Sequence, residues 1–570
     1  MKKLIICALA ASAAFAGTAG ALPTYAISGT GMSTIGPGGD YLTLKDACDD
    51  VIVKGSRDAS TWTFSIIGDT TESANVFLAC SITPGGKILF KPAIGVDATI
   101  TFTAAARSAV LFTNFGIGAP SDAYPTASTG SNGIEIDGSN TVGGTTRNLS
   151  FLRSALDGGN NNAFITLIAD TDNTIIKNCN ITQASTASSP ATAAFGTRST
   201  LVSSVPLTPD GWLIENCAID VPSSAGGVGI ALNDLVGTAP TNFGSHGFTV
   251  RNNVITARQR GFQYKYAYDF TVTGNTIQVG GTLPANVNSD NFAVSCSGGS
   301  GTIPANLNTI SNNRIFIRNT ATAASTNGPT ALYFQANGSS LGYEFNIFNN
   351  EIIVASVGAR NSGLTTHSTR GITFGNTGAT ARMYNNTIWI AKNTNALGDP
   401  GVATQTYGIG NTSGALYNWD LRGNVIYTNE ANIPAISQTV VQSGVGSGFT
   451  SDYNIIYAPT GFIGRVASTT YADLTTYNGA TGTDANSNSF NVVPFFNNVT
   501  PTIGVADLTL VASGTYPIAT WGLTPSAFST STVTTDYAGD SRTGSANPYR
   551  GFDELPNHTA VNDWMILDTE

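Results

Sequence analysis

One run of basic side chains stands out in the interior of this chain: TARQRGFQYKY, which groups Arg258, Arg260 and Lys265. Such a group could neutralise the carboxylate of an acidic sugar and withdraw a neighbouring proton, provided that the base has a lowered pKa. A calcium-assisted elimination would also need several carboxylates around the ion. Only Asp234 and Asp290 stand near these residues on adjacent repeats, so a metal-free version, with Lys265 as base and Arg260 on the substrate carboxylate, is what the residues support. The commoner use of such a run is a solvated basic spot beside Asp269 and its aromatic neighbours. Asp170 and Asp172 in IADTDNT form the densest acid pair of the repeat region; a bound Ca2+ is one use, and a turn closed by Asx bonding is the commoner one. No GxSxG, HExxH, Walker A or dinucleotide fingerprint occurs in a usable context. The histidines are His246, His367 and His558, and no CxxC spacing occurs, so neither zinc nor any other cofactor is expected.

A repeat must position these side chains. The phrases IIKNCNIT, LIENCAID, FTVRNNVIT, FTVTGNTIQ, NTISNNRIF, FNIFNNEII, RMYNNTIWI, WDLRGNVIY and SDYNIIYAP end their polar stretch at Cys179, Cys217, Asn253, Asn275, Asn313, Asn350, Asn386, Asn424 and Asn454. Ser154 is a candidate earlier member. Most steps are 36 to 38 residues, and the shortest is 22. Apolar residues alternate with polar ones before the Asn, and another apolar residue follows two places after it: a strand, a bend and a second strand. A second, Gly-led alternation precedes most phrases, as in GIALND, GFQYK, NFAVS, ALYFQ and GITFG. Each period therefore holds at least two short strands and no helix.

Identical repeats stack like on like at roughly 4.8 Å, so the expected fold is an all-β right-handed parallel β-helix, a solenoid stabilised coil by coil. An inward Asn on each coil can bond the Asn above and below, and it tolerates the left-handed backbone of a tight bend.

Only 11% of the residues are charged, as stacking demands, because a charge repeated on every coil would repel its neighbour. The net charge of −10 argues against nucleic acid as a partner. Lys2 and Lys3, the apolar run from Leu4 to Ala16 and Ala19-Gly20-Ala21 read as a secretory signal over residues 1–21. No later stretch is apolar over the length of a membrane helix, so the expectation is a secreted, extracellular or cell-surface protein, or a periplasmic one, that is not membrane-embedded. Five Cys would remain. Cys48 with Cys80 is the preferred disulfide; Cys179 and Cys217 stack on consecutive coils, either as a second bridge or as two buried thiols.

Residues 22–105 are expected to form an N-terminal cap with first strands: a short helix carrying Leu44, Ala47 and Val51 inward and Asp49 and Asp50 outward, then WTFSIIG and GKILFKP. Coils are expected over 106–460 and a closing segment over 461–570. In TTDYAGDSRTGSANPYRGFDEL, Asp536, Gly539, Arg542, Gly551 and Glu554 match terminal elements of secreted bacterial β-helix proteins. Together with the ladder phrases, these residues make the chain resemble the pectate-lyase-like right-handed parallel β-helix superfamily over nearly its whole mature length.

In polysaccharide-cleaving members of that superfamily the substrate groove follows the Gly-led strands. With Ile230, Phe262, Phe292, Leu332 and Ile372 inward, the outward columns read Ala231, Gln263, Ala293, Tyr333, Thr373 and Asn233, Lys265, Ser295, Gln335, Gly375. Neither holds a carboxylate. NSD at 288–290 and SHG at 245–247 look like polygalacturonase motifs, but in reversed order and without the paired Asp that inverting hydrolysis requires. The expected function is a non-catalytic scaffold, adhesive or matrix component, with an extracellular polysaccharide or copies of itself as partner. Gln263, Lys265, Tyr333, Gln335 and Asn233 are its candidate glycan-binding residues. The alternative is a polysaccharide lyase or glycoside hydrolase acting through Lys265, Arg260 and Arg258. A tailspike shares the fold, but the cleavable signal speaks against it.

Overall fold

Three sheets of thirteen strands each run side by side through the computed structural model. It describes residues 30–54, 56–78, 80–82, 84–103, 115–117, 133–154, 162–168, 171–183, 192–198, 200–202, 205–221, 227–232, 245–264, 267–280, 292–297, 306–319, 329–335, 343–356, 369–375, 380–391, 407–411, 418–428, 434–438, 448–458, 461–467, 469–490, 496–498, 507–510 and 535. Each coil contributes one strand to each sheet, and the neighbours within a sheet pair in parallel. This is the right-handed parallel β-helix expected from the repeat, with three strands per coil where the phrases showed two.

The first sheet begins at Gly31–Ile35 and holds the strands before each Asn, to Phe449–Asp452; the second holds those after it, from Thr70–Glu72 to Asn488–Phe490. The third sheet holds the Gly-led strands, from Val76–Leu78 to Phe462–Val466, and ends in Thr469–Tyr471, which turns back antiparallel. The stacked strands thus extend beyond both ends of 106–460, and thirteen rungs make a rod of about 60 Å.

Along the interior, Asn253, Asn275, Asn313, Asn350, Asn386, Asn424 and Asn454 form one continuous amide ladder. Each Nδ2 donates to the next Oδ1 at 2.9–3.0 Å, and each of these Oδ1 atoms also accepts a main-chain N–H from the coil before it. The left-handed bend belongs to the residue before: Asn252, Gly274, Asn312, Asn349, Asn385, Gly423 and Tyr453 have φ between 52° and 67°. One Asn was expected to do both jobs, but adjacent residues divide them. At Gly274 an added Cβ would also lie 2.3 Å from Asn252 Oδ1. Ser154 is not a ladder member: pairing puts Leu149 and Ala98 at that level before Cys179, five residues ahead of Ser154.

Aromatic rings stack through the same core, with Trp212 and Phe248 at 4.3 Å and Phe248 and Phe270 at 5.3 Å. At the open N-terminal edge the helix Leu44–Lys54 buries Leu44, Ala47, Cys48 and Val51. Glu72, on the first strand of the second sheet, accepts the helix's leading N–H groups from Leu44 at 2.8 Å and Lys45 at 3.1 Å, which fixes the cap to the coil it covers. Asp50 was expected to face solvent; it is buried and accepts from Tyr41 Oη at 2.6 Å. A second helix, Leu474–Thr481, which the sequence did not announce, brings the Tyr477 ring against Gly464 at the other end.

Candidate functional site

The third sheet was expected to line an open groove, and its outward column is buried instead. Register places Thr166, Gly196, Ala231, Gln263, Ser295, Tyr333, Thr373, Gly410, Ser437 and Arg465 in line. Gln263 is 4% exposed and Thr373 fully buried, while Tyr333 is half-buried. The expected columns also slip by two residues at one coil: Val294, not Phe292, lies inward beside Phe262, and Ser295, not Ala293, is outward beside Gln263. A slip of two keeps every side chain on its own face, so the error left the inward and outward assignments intact. The Gly lead has a packing cause: a Cβ on Gly261 would stand 2.4 Å from Ile277 Cγ2 and 2.7 Å from Ala293 O, where the second and third sheets meet.

Asn233, Lys265, Asp170, Asp234 and Asp290 lie outside the described residues, as do Asp536, Gly539, Arg542, Gly551 and Glu554; the side chains of Gln335 and Cys296 do too. Arg258 and Arg260 are both half-buried at the entry to the strand Arg260–Tyr264, and burial holds the Arg258 guanidinium below its usual range. Cys48, Cys80, Cys179 and Cys217 are buried thiols with no disulfide among them, so neither bridge forms. Cys179 donates to Lys177 O at 3.1 Å and Cys217 to Glu215 O at 3.3 Å, the buried-thiol arrangement for the stacked pair. Burial pushes the Cys48 and Cys179 thiols well up.

The outward face of the first sheet is partly exposed from Lys177 to Thr309, while Glu135, Asp137, Ser311 and Asn346 at its ends are buried. One column runs Asp137, Lys177, Glu215, Arg251, Thr273, Ser311, and the column beside it Glu135, Ile175, Leu213, Thr249, Thr271, Thr309, Asn346. Charge alternates in sign up the first column, which lets charged residues occupy adjacent rungs without repulsion. Lys177 Nζ lies 2.9 Å from Glu135 and 3.4 Å from Asp137, and Arg251 Nε lies 2.7 Å from Glu215. Burial raises the Glu135 pKa, but Lys87 and Lys177 outweigh it and hold the carboxyl below its usual range. Beyond Arg251 two rungs carry hydroxyls, with Thr273 and Ser311 bonded at 3.0 Å, and the columns then continue through Phe348 and Tyr384 and through Asn346, Arg382 and Asp420.

At the turn leading into this sheet the structure assembles an ionisable column that sequence reasoning missed. Asp172, Asp210, His246 and Tyr268 each precede a left-handed residue, namely Asn173, Gly211, Gly247 and Asp269. Asp172 Oδ1 accepts from Asp210 N at 3.0 Å, Asp210 Oδ1 accepts from His246 N at 2.8 Å, and the His246 ring stacks on Tyr268 at 4.9 Å. His246 Nδ1 lies 2.8 Å from Asp210 Oδ1, a contact of charge that raises the imidazole pKa. The signal was available: 172, 210, 246 and 268 are spaced by 38, 36 and 22, the same steps as 179, 217, 253 and 275. The column can exchange protons at its half-exposed imidazole, and no group of three or more metal-ligating side chains occurs among the described residues.

The strand pairing defines the class: a parallel β-helix solenoid with amide-laddered coils. No family model matches the chain, and no curated protein matches it. Solved structures similar to it include the Dettilon tailspike protein, at 14% identity and a TM-score of 0.30 over 74% of this chain, and the A-module of Azotobacter vinelandii mannuronan C-5 epimerase AlgE4, at 11% identity and a TM-score of 0.19 over 78% of this chain. The matches cover 64% of the tailspike chain and 94% of the epimerase module. At those scores the fold assignment rests on the chain's own register.

Proposed function

We propose that this chain is a secreted β-helix scaffold that associates with extracellular glycan through the outward wall of its first sheet. The observation that carries the reading is the partly exposed column Thr249, Thr271, Thr309 beside Arg251 and Thr273. A rigid strip of hydroxyl groups repeating at strand spacing suits the hydroxyl-rich flank of an extended sugar chain. Its charges are paired within the wall, so the strip is close to neutral, and with a net charge of −10 the molecule favours neutral polymers over polyuronates.

The test is calorimetry against a panel of neutral and uronic-acid polysaccharides, with the double variant Thr271→Ala/Thr309→Ala as control. Binding to a neutral polymer that weakens at least about fivefold in the variant supports the reading, since each lost hydrogen bond is worth about 1 kcal/mol. Binding to nothing, or binding indifferent to the variant, refutes it. The same panel is watched for unsaturated-product absorbance; turnover abolished by Lys265→Ala would establish the lyase reading instead.

A further inference from the structure

The amide ladder has a direction. Each rung from Asn253 to Asn424 donates Nδ2 to the Asn one coil nearer the C-terminus, and its main-chain N–H goes to the same Oδ1. The last rung, Asn454, therefore needs two acceptors where the Asn series stops. Pairing of Ile455 with Asn488 sets Ser487 at the next level, and Ser487 Oγ accepts from Asn454 N at 2.8 Å. Asp484 Oδ1 accepts from Asn454 Nδ2 at 3.2 Å, from Ser451 Oγ at 2.9 Å and from Ser487 Oγ at 2.6 Å. This carboxyl ends the ladder. It is 3% exposed, on a left-handed residue with φ of 62°.

The second carboxyl oxygen heads a row of oxygens. Asp484 Oδ2 lies 3.2 Å from Thr483 Oγ1, which lies 2.9 Å from Thr481 Oγ1, which in turn lies 2.9 Å from Tyr477 O in the helix Leu474–Thr481. Three such contacts need three protons, and the two hydroxyls bring two. A carboxylate at the head of the row would leave one pair of oxygens facing each other lone pair to lone pair; a carboxylic acid completes it. We infer that Asp484 stands as the neutral acid and donates through Oδ2 to Thr483, so that one proton latches the closing helix to the end of the amide ladder. The Oδ1 bonds survive in either state, because the acid keeps that oxygen as an acceptor. Burial agrees, raising the Asp484 pKa more than its hydrogen bonds lower it. Asp452, Tyr453, Asp473 and Tyr477 are the titratable groups on the strand, bend and helix around it, with Arg465 and Tyr471 on the strands that touch the helix, and none of them bonds to Asp484. Asp452 is engaged by Tyr453 N at 2.9 Å and by Asn486 N at 2.7 Å. Loss of the proton would loosen 482–487 from the last coil, where Asp484 N covers the edge of the first sheet by donating to Ser451 O at 2.6 Å.

The stabilisation is fully present below the ordinary value of 3.8 and is lost as pH rises through the folded value. Native-state hydrogen exchange of the full chain, from about pH 4 to 8 and corrected for intrinsic rates, should show protection at Asn454, Gly482 and Asp484 falling with pH. The total fall should be about tenfold for each unit between 3.8 and the folded value. Asp484→Asn carries the donor at every pH and should give a flat profile. Carboxyl NMR of protein labelled at aspartate, assigned with that variant, should find Asp484 titrating above 3.8. Thr483→Val decides which way the bond runs: it should lower the Asp484 pKa by taking away the proton's acceptor, whereas a Thr483 that donates to a carboxylate would give a rise. That rise, titration at or below 3.8, or protection that does not fall with pH would each overturn the inference, whether or not the wall binds glycan.

Discussion

Asn385 and Asn386 are neighbours in sequence, both buried, and should respond oppositely to substitution. Asn386 Nδ2 donates to Asn424 Oδ1 at 3.0 Å and Ile347 O at 2.9 Å, while its Oδ1 accepts from Asn350 Nδ2 at 2.9 Å and Asn350 N at 3.2 Å. Asn386→Ala removes all four bonds. Asn350 Nδ2 keeps Ile310 O and Phe348 O, but the Asn350 main-chain N–H and the Ile347 carbonyl each lose a partner inside the core. At about 1–3 kcal/mol per orphaned group the loss is about 2–6 kcal/mol, and the middle of that range, about 4, is close to a thousandfold in the local opening equilibrium. Asn385 has φ of 52°, and neither side-chain polar atom has a partner among the described residues. Asn385→Gly keeps the left-handed bend and removes an unsatisfied buried amide, so its effect should lie within about 1 kcal/mol of zero. Coils open separately in a solenoid, so native-state hydrogen exchange across 343–457 is the right assay rather than one melting midpoint. If the two variants differ by less than about 1 kcal/mol, or if Asn386→Ala loosens the distant strand Lys87–Pro92 as much as its own coil, the ladder argument is wrong.

Gly274→Ala should cost about 1–3 kcal/mol, because φ is 67° and the new Cβ meets Asn252 Oδ1 at 2.3 Å; denaturant-induced unfolding that matches the wild-type curve would contradict this. His246 has a raised folded pKa, so the Asp210 contact stabilises fully below the ordinary value of 6.5 and is lost as pH rises through the folded value. The side chain is 41% exposed, which caps the effect at about 1 kcal/mol; an imidazole titrating at or below 6.5 by NMR, or a pH profile unchanged in His246→Gln, would rule it out. Glu135 has the opposite sign: its stabilisation is present above about pH 4.5 and lost as pH falls through its lowered value, and Lys177→Met should diminish this acid limb in exchange at Glu135 and Ile136. Cys48 and Cys179 should resist thiol reagents in the folded protein and react only on unfolding; fast labelling of either would show that its coil is open.

The part of this fold legible in the sequence is the part that repeats chemically. Asn253 to Asn454 could be aligned by eye because a buried amide bonded to its copies tolerates no substitute without orphaning a main-chain group. Where the level is filled by Leu149 or Ala98 no polar group needs a partner and the phrase fades, so the coil of Ala98 read as cap and the coil of Leu149 was given Ser154 as its ladder residue. The third sheet misled for a related reason. Phe292 resembled Phe262, and only the pairing shows that the coil begins two residues later. The buried outward residues Phe316, Ile353, Trp389, Tyr427 and Tyr457 of the second sheet were written in RIFIR, EIIVA, TIWIA, VIYT and IIYA, where apolar residues take both faces, the mark of a strand buried on both sides. The His246 column escaped because its four members, two Asp, a His and a Tyr, share a backbone role and no single residue type.

Burial of the outward faces narrows where the described part of the molecule can meet anything else. Apart from half-buried Tyr333, the described side chains of the third sheet's outward column are buried, and so are Phe316, Ile353, Trp389, Tyr427 and Tyr457 on the second sheet. Among the described residues, the sheet faces left partly exposed are the first sheet's wall and the second sheet's early rungs, around Asn180, Asp220, Thr256 and Gln278. Both surfaces carry hydroxyls, amides and scattered charge, and from the coil of Asn253 onward the interior beneath them is tied by bonds from each Asn to the next. The rigidity matters for the proposed role. A polymer laid along several rungs gains one weak contact per coil, and those contacts add only if the rungs keep their spacing while empty, so that little ordering entropy is lost on binding. The amide ladder supplies that pre-organisation. A variant such as Asn386→Ala should therefore weaken polymer binding out of proportion to its distance from the wall and leave the affinity for a short oligosaccharide spanning a single rung unchanged. Equal weakening of both ligands would mean that the wall binds by isolated contacts and that its regular spacing has no part in recognition.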